Sequence, residues 1–474
     1  MTSIAKRILA RATAVLALMA GLLLLAACGN GGERDTNTIE VWHAFNAEET
    51  SVFRKIVAEY EADWKKRTGE EIVIDLKYVS YGDMFTKLRT AALGELTPDV
   101  AFMDSIKVTD LALGQALMKI DEMPAFKRRY GTIAQAREEF VGASFDSGIV
   151  NRKGVVNLYA YPVQTTTVAL FWNREMFRRK ANELRAAGLD PNRAPRDWDE
   201  LTAYGKVLTD EAAGVYGFGM HGSMWFNFPI FNMYRMEFVQ YDEKGRASSA
   251  VNSPNGLAAL ERLSTLAHSG IEGGAWKRSA LGPDAGFINR KYAMVMMGPW
   301  MVESFTNAGL DFDISLIPGP TEEEVERLGL EPEYPDLVET WGQLAYSSSN
   351  VGGQSGVIMR TCENPEAALE FLDYFTSEPV QRRWASRLGQ IPVRRAAWKD
   401  LDTSKYPFMP KFMDQLLLAR RIPQIPLYGI LESNIFTPEV DLLLQQKQTP
   451  QQMLDNLEKA MDQNIMVRVN ESLD

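Results

Sequence analysis

Apolar residues fall along this chain in two alternating rhythms. Residues 38–42, 71–76 and 98–103 are short, largely apolar runs that read as strands. Between them, residues 48–66 place Val52, Phe53, Ile56, Val57 and Tyr60 at helical spacing, and 83–93 read as a second helix. This alternation predicts a mostly parallel sheet covered by helices. Residues 155–161 are strand-like up to Pro162, and 164–172 form a β-rich run that ends where a helix starts at Asn173. Asp197 with Glu200, Ser253 before Pro254, and Thr449 with Gln452 are helix-start patterns. Leu257, Leu260, Leu263 and Leu266 continue the helix after Pro254, and Gly270 ends it. Asn364-Pro365 and Ser377-Glu378-Pro379 open two more helices.

The stretch 286–300 organises the rest. Residues 292–297 are apolar enough for a buried strand, Gly298 permits an unusual backbone angle, and Pro299 suits the first position of a helix. Trp300 therefore stands where a strand ends and a helix begins, the crevice in which open α/β sheets bind ligands. A lone tryptophan there is equally a core residue. Strand ends likewise collect Trp42, His43 and Asp104 on one edge, and Tyr81 and Asp83 stand at a helix start facing it. Gln164 and Thr165, just past Pro162, either read hydroxyls or decorate a sheet surface. Residues 224–229 are a run of aromatics, including Trp225, that is costly to expose unless it packs or stacks on something. The three histidines, His43, His221 and His268, are not paired at metal-ligand spacing, so His43 reads as a hydrogen-bonding side chain and no metal site is expected. Residues 217–222 match a dinucleotide-binding glycine pattern, but no strand-to-helix unit surrounds them, and that reading is rejected.

Composition changes the picture in three ways. Lys6, Arg7 and Arg11 precede an uncharged run over 12–27 that ends in small residues, the form of a secretory signal rather than a membrane span. Leu25-Ala26-Ala27-Cys28 resembles the bacterial lipoprotein box, which implies lipidation of Cys28 and anchoring on a membrane surface. Residues 28–37 then read as a flexible tether. The chain has 474 residues, too many for one core and right for two large lobes. Its net charge is −11, and the leader removes three basic residues, a balance that disfavours nucleic acid and anionic lipid headgroups. Once Cys28 is lipidated, Cys362 has no intrachain partner, so no disulfide framework is expected.

The stretch 286–300 is similar to the "F-x-x-G-x-A-A-M-x-x-x-G-P-W" segment of carbohydrate-binding proteins of ABC importers, with Asn289-Arg290-Lys291 in place of the usual glycine-containing turn. The same family reads much like residues 41–46, 78–84 and 98–104, like the proline-containing hinge at 162, like Asp197-Trp198-Asp199-Glu200-Leu201, and like the turn Gly389-Gln390-Ile391-Pro392-Val393-Arg394. Leu337 to Gly356 departs most from the family pattern. The resemblance implies an α/β, two-lobe type II periplasmic-binding-protein fold with a hinge and a ligand cleft between the lobes. The boundaries expected are a signal peptide at 1–27, a tether at 28–37, the first lobe at 38–160 and 293–340, and the second lobe at 161–292 and 341–474 with the C-terminal helices. It also implies a ligand set of Trp42, His43, Tyr81, Asp83, Asp104, Gln164, Trp225, Trp300 and Trp341. Arg394 is expected in a structural salt bridge.

A saccharide presents flat C–H faces and a ring of hydroxyls; aromatic faces take the first, and carboxylates and amides the second. The expected function is capture of a sugar or oligosaccharide and its delivery to an ABC importer permease, by a monomer without cofactor or enzymatic activity. A binder of a non-sugar solute such as a polyol phosphate is the alternative. A secreted glycoside hydrolase is the other class, and it needs two carboxylates at a defined separation, which nothing in the sequence marks.

Overall fold

The computed structural model describes residues 37–152, 154–277, 279–423 and 425–471; the leader, Cys28 and most of the tether lie outside the described residues. Ten strands carry the architecture: β1 (Thr38–His43), β2 (Val73–Tyr78), β3 (Val100–Asp104), β4 (Ala160–Thr167), β5 (Ala169–Asn173), β6 (Tyr216–Gly219), β7 (Tyr292–Met297), β8 (Phe312–Ser315), β9 (Ser349–Ile358) and β10 (Ala419–Arg421). They form two sheets. The first runs β10-β9-β3-β1-β2, with β4 also paired to β9; the second runs β8-β5-β7-β6. The expected α/β fold in two lobes is therefore present.

Local sequence explains the elements. On β1, Ile39, Val41 and His43 are buried while alternate residues are not, the period-two pattern of a sheet with one face on a core. β7 is buried at all six positions because both its faces are covered. The helix Ala47–Thr68 starts at Asn46, which shares a capping box with Glu49, and buries Phe53, Ile56, Val57 and Tyr60 on one stripe. That stripe meets Phe45, Phe102, Phe375 and Trp384 in the first-lobe core, with Phe45 and Trp384 ring centroids 5.0 Å apart. Arg394 is in the expected salt bridge, 2.7 Å from Glu139, with its guanidinium over the Phe140 ring.

The lobe boundaries differ from those expected. Residues 161–167 pair with β9 and belong to the first sheet, so the first crossing lies at Val168, between β4 and β5. The assignment of 293–340 to the first lobe is corrected: β7 and β8 both lie in the second sheet. The assignment of 341–474 to the second lobe is corrected in part. β9 and the helices Pro365–Phe375 and Glu378–Leu388 build the first lobe, whereas the helix Met409–Leu417 packs through Phe412 on Phe171 of the second sheet and the segment after β10 joins the second-lobe core. An apolar run looks alike whichever sheet it joins, because burial on two faces removes the alternation that would identify its neighbour.

Polar side chains tie the crossings together. Thr167 Oγ1 donates to the Asn350 carbonyl at 2.8 Å and Ser349 Oγ to the Val168 carbonyl at 2.8 Å. Ser348 Oγ donates to the Leu418 carbonyl at 3.1 Å, and Asn350 Nδ2 to the Trp225 carbonyl at 2.9 Å. Gln415, fully buried, accepts from the Ile317 amide at 2.7 Å and donates to Ser347 Oγ at 3.3 Å, pinning both ends of the 317–347 excursion. Gly353 completes the junction. Its φ is +123°, and a Cβ there would stand 2.1 Å from the Gln164 carbonyl oxygen. Replacing Asn350 by Ala leaves the Trp225 carbonyl unpaired in a buried site. The variant is expected to lose about 1–3 kcal/mol of unfolding free energy in urea titration.

Candidate functional site

The two lobes face each other at the ends of β1, β3 and β7. A small cavity of about 10 Å³ marks the base of this cleft and is lined by Asp104 and Ser105 from the first lobe, Trp225 from the second, and Val351, Gly352 and Ile422 from the crossing segments.

The second lobe supplies an aromatic wall. Trp225 lies near the start of the helix Met224–Met233, and its ring centroid is 5.7 Å from that of Trp300 and 4.9 Å from that of Phe226. Phe226 stacks on His221 with centroids 3.6 Å apart and planes 7° apart, and His221 Nε2 is 3.3 Å from Met297 Sδ. Trp300 remains 46 % exposed, so one end of this wall is open to a ligand. The Trp225 carbonyl accepts from Asn350 Nδ2 at 2.9 Å, and the Glu432 carboxylate lies near its backbone N–H.

Gly298 plays a different part from the one expected. Its φ is −102°, an ordinary extended value. Glycine is needed because the Trp300 ring folds back over it, and a Cβ would come within 1.9 Å of that ring. The unusual angle falls instead on Arg290, with φ +57°, at the turn where the sequence lacks glycine. Its side chain is 3.3 Å from Glu175 Oε2.

The first lobe supplies polar groups. The Tyr81 hydroxyl lies beside the Asp104 carboxylate and draws on its charge, and the Ile106 amide donates to that carboxylate at 3.2 Å. Burial pushes the Asp104 carboxyl up, against the pull of those two donors and of Lys107. Glu432, from the second lobe, is also pushed up by burial, and the charges of Asp104 and Glu432 repel. Lys107 lies between the lobes with its ammonium 5.2 Å from the Tyr428 ring centroid.

Asp104, Tyr81, Trp225 and Trp300 thus come together at the interlobe crevice. Most others of the expected set have partners of their own. His43 is corrected to a core residue: it is 1 % exposed, with Phe45, Phe53 and Tyr78 around it, because strand periodicity puts it on the face of Ile39 and Val41. Trp42, on the opposite face of β1, donates its indole N–H to Glu40 at 2.6 Å. Asp83 is exposed and accepts from Ser80 Oγ at 2.7 Å. Gln164 belongs to a network in which it donates to Glu49 at 3.0 Å and accepts from Gln354 at 3.1 Å. Trp341 ends the short helix Val338–Trp341 and makes no ring contact with Trp225 or Trp300 among the described residues. Sequence reasoning singled out the aromatic run that holds Phe226 but not its stacking partner His221, and it missed Lys107, Tyr428 and Glu432. The spacing of Tyr428 and Glu432, four apart after a proline-rich segment, was the one available signal.

Among the described residues no cluster of His, Cys, Asp and Glu is arranged to hold a metal ion. A family model described as bacterial extracellular solute-binding protein matches residues 46–382. The chain is similar to the maltotriose-binding protein of Pyrococcus abyssi, 21% identical over 412 residues, covering 85% of this chain and 76% of that protein. It is also similar to the sn-glycerol-3-phosphate-binding periplasmic protein of Escherichia coli O1:K1 / APEC, 23% identical over 358 residues, covering 70% of this chain and 73% of that one. Among solved structures, the cyclic alpha-maltosyl-1,6-maltose binding protein of Arthrobacter globiformis superposes with a TM-score of 0.69 at 22% identity, covering 92% of this chain and 98% of that one.

Burial lowers the imidazoles of His43 and His221 from 6.5 to about 4. The unfolded chain therefore binds more protons than the folded one between those values. Stability contributed by the two neutral imidazoles is present above about pH 6.5 and is lost as the pH falls through about 4. Urea unfolding from pH 7 down to pH 4.5 is expected to show this loss, and His221→Phe is expected to flatten it by up to about 1.4 kcal/mol per pH unit.

Proposed function

The chain belongs to the bacterial extracellular solute-binding proteins, and on that premise we propose that it captures a neutral sugar or oligosaccharide between its lobes and hands it to an ABC importer permease. The observation that carries this reading is the pairing of the open Trp225–Trp300 wall with Asp104 across the crevice. Indole faces take the C–H surface of a sugar ring, and a carboxylate held by Tyr81 accepts from its hydroxyls. Both surfaces belong to different lobes, so a ligand that bridges them favours the closed arrangement, which the permease reads. In this reading the ligand leaves chemically unchanged and the chain is not an enzyme.

A polyol phosphate is the second reading, and a relative named for sn-glycerol 3-phosphate favours it. The electrostatics favour the sugar. Asp104 and Glu432 already repel one another in a buried crevice, and a phosphate dianion there would add to the repulsion with Lys107 as the cation between them.

The chain acts outside the cytoplasm, and we extend the reading to lipid anchoring at Cys28, which would hold a monomer beside its permease. No helix among the described residues is long and apolar enough to cross a membrane. Cys28→Ser is expected to move the protein from the membrane fraction to the soluble fraction while leaving sugar affinity unchanged; persistence in the membrane fraction would remove the anchor.

Tryptophan fluorescence, titrated with maltose, maltotriose, maltotetraose and sn-glycerol 3-phosphate, tests the ligand. Saturation by an intact sugar, weakened about tenfold or more in Trp300→Ala with cooperative unfolding retained, is the expected result. Saturation by the phosphate ester alone would select the second reading, and recovery of a cleaved sugar would overturn both.

A further inference from the structure

A second, larger cavity of about 860 Å³ lies behind the crossing segments and shares none of its lining with the crevice. The segment after β10 is the wall between them: Arg421 and Pro423 line the large cavity, while Ile422 between them lines the crevice. The volume is that of a small-molecule site. Its charge is unlike that of the rest of the chain. Six arginines line it, against three carboxylates, in a protein whose net charge is −11.

The carboxylates neutralise only part of this charge, and Glu237 and Glu333 both act on Arg235. Asp146 is occupied by both guanidinium arms of Arg137, at 2.6 and 2.7 Å. Glu333 is shared by Arg420 at 3.1 Å and Arg235 at 4.0 Å. Burial and the repulsion of Arg420 lower Arg235 to about 10. Arg152, Arg395 and Arg421 make no salt bridge among the described residues; Arg395 and Arg421 donate to backbone carbonyls of Phe140 and Asp146. The Arg420 Nε–H is buried without a hydrogen-bond partner among the described residues. Crowded guanidiniums with spare donors cost free energy until an anion joins them, and their planar forks match phosphate and carboxylate oxygens two at a time. Tyr241, Tyr334 and Trp398 add flat apolar surface to the same walls.

We propose that this cavity binds a small polyanion bearing phosphate or carboxylate groups, gripped by Arg152 on the first lobe, Arg235 on the second and Arg420 on the crossing strand. The charge is opposite to that of the crevice, which Asp104 lines with the Glu432 charge nearby. An anion held there would join both lobes and the crossing strand through one set of hydrogen bonds.

Isothermal titration calorimetry of the processed full-length chain, with pyrophosphate and with citrate in separate titrations at about 0.15 M salt, tests the site. Saturable binding of one anion per chain is expected, weakened about tenfold in Arg420→Gln and in Arg152→Gln, which change different walls. Pyrophosphate alone would identify a phosphate ligand and citrate alone a polycarboxylate. Thermal midpoints of both variants establish that they fold; should Arg420→Gln fail to fold, Arg152→Gln decides. No saturable binding of either anion, or binding unchanged in both variants, overturns the proposal. Neither probe is a sugar, so this result is independent of the function proposed for the crevice.

Discussion

The structure depends on the buried polar junction at the start of β9. A polar side chain taken out of water costs free energy unless it finds a partner, so Ser347, Ser348, Ser349 and Asn350 can be buried together only where backbone groups from other segments meet them. Those groups come from residues 168, 225 and 418, one from each of three otherwise separate parts of the chain. The junction therefore specifies a single path for the crossings. An apolar junction of the same size would pack, but it would not fix which carbonyl faces which side chain.

From that junction the site follows. Asn350 holds the Trp225 carbonyl, with Glu432 near the N–H of the same residue, and Trp225 sets the position of the ring beside it. Trp300 is placed from the other side by β7 and by the close approach its ring makes to Gly298. An aromatic wall made of two indoles needs this support, because each ring offers a usable face only when it is presented at the right depth. The polar groups opposite are carried by the end of β3 and by a first-lobe helix start, and the two halves of the site meet at the junction and again where Lys107 lies over Tyr428 and the Leu427 amide donates to Asp110.

Charge divides the molecule along the same line. In front of the crossing segments, burial raises Asp104 and Glu432 and leaves a crevice suited to a neutral donor of hydroxyl groups. Behind them, arginines from both lobes crowd a cavity whose carboxylates are already engaged. An overall balance of −11 conceals this division, since net charge governs solubility and long-range attraction, whereas a site responds to the few charges that line it.

Much of this was legible in residue order. The capping boxes at Asn46–Glu49 and Thr449–Gln452, the helix stripe around Phe53 and Tyr60, and the strand-to-helix turn at Trp300 are local events, set by spacing and by the backbone preferences of a few residues. They set the α/β class and, with the strand ends, made Trp300, Asp104 and Tyr81 candidates; chain length and the family resemblance implied the two lobes, and the resemblance drew Trp225 from its aromatic run. The sequence could not assign β7, β8 and β9 to their sheets, because a strand buried on both faces carries no record of its partners. Nor could it separate His43 from the cleft, since whether a strand end faces solvent or core depends on which side the helices cover. The grouping of Glu432 with Asp104 and Lys107, and of six arginines in one cavity, joins residues as far as hundreds of positions apart. Those contacts exist only once the chain has crossed between its lobes, so the tertiary structure alone decided them.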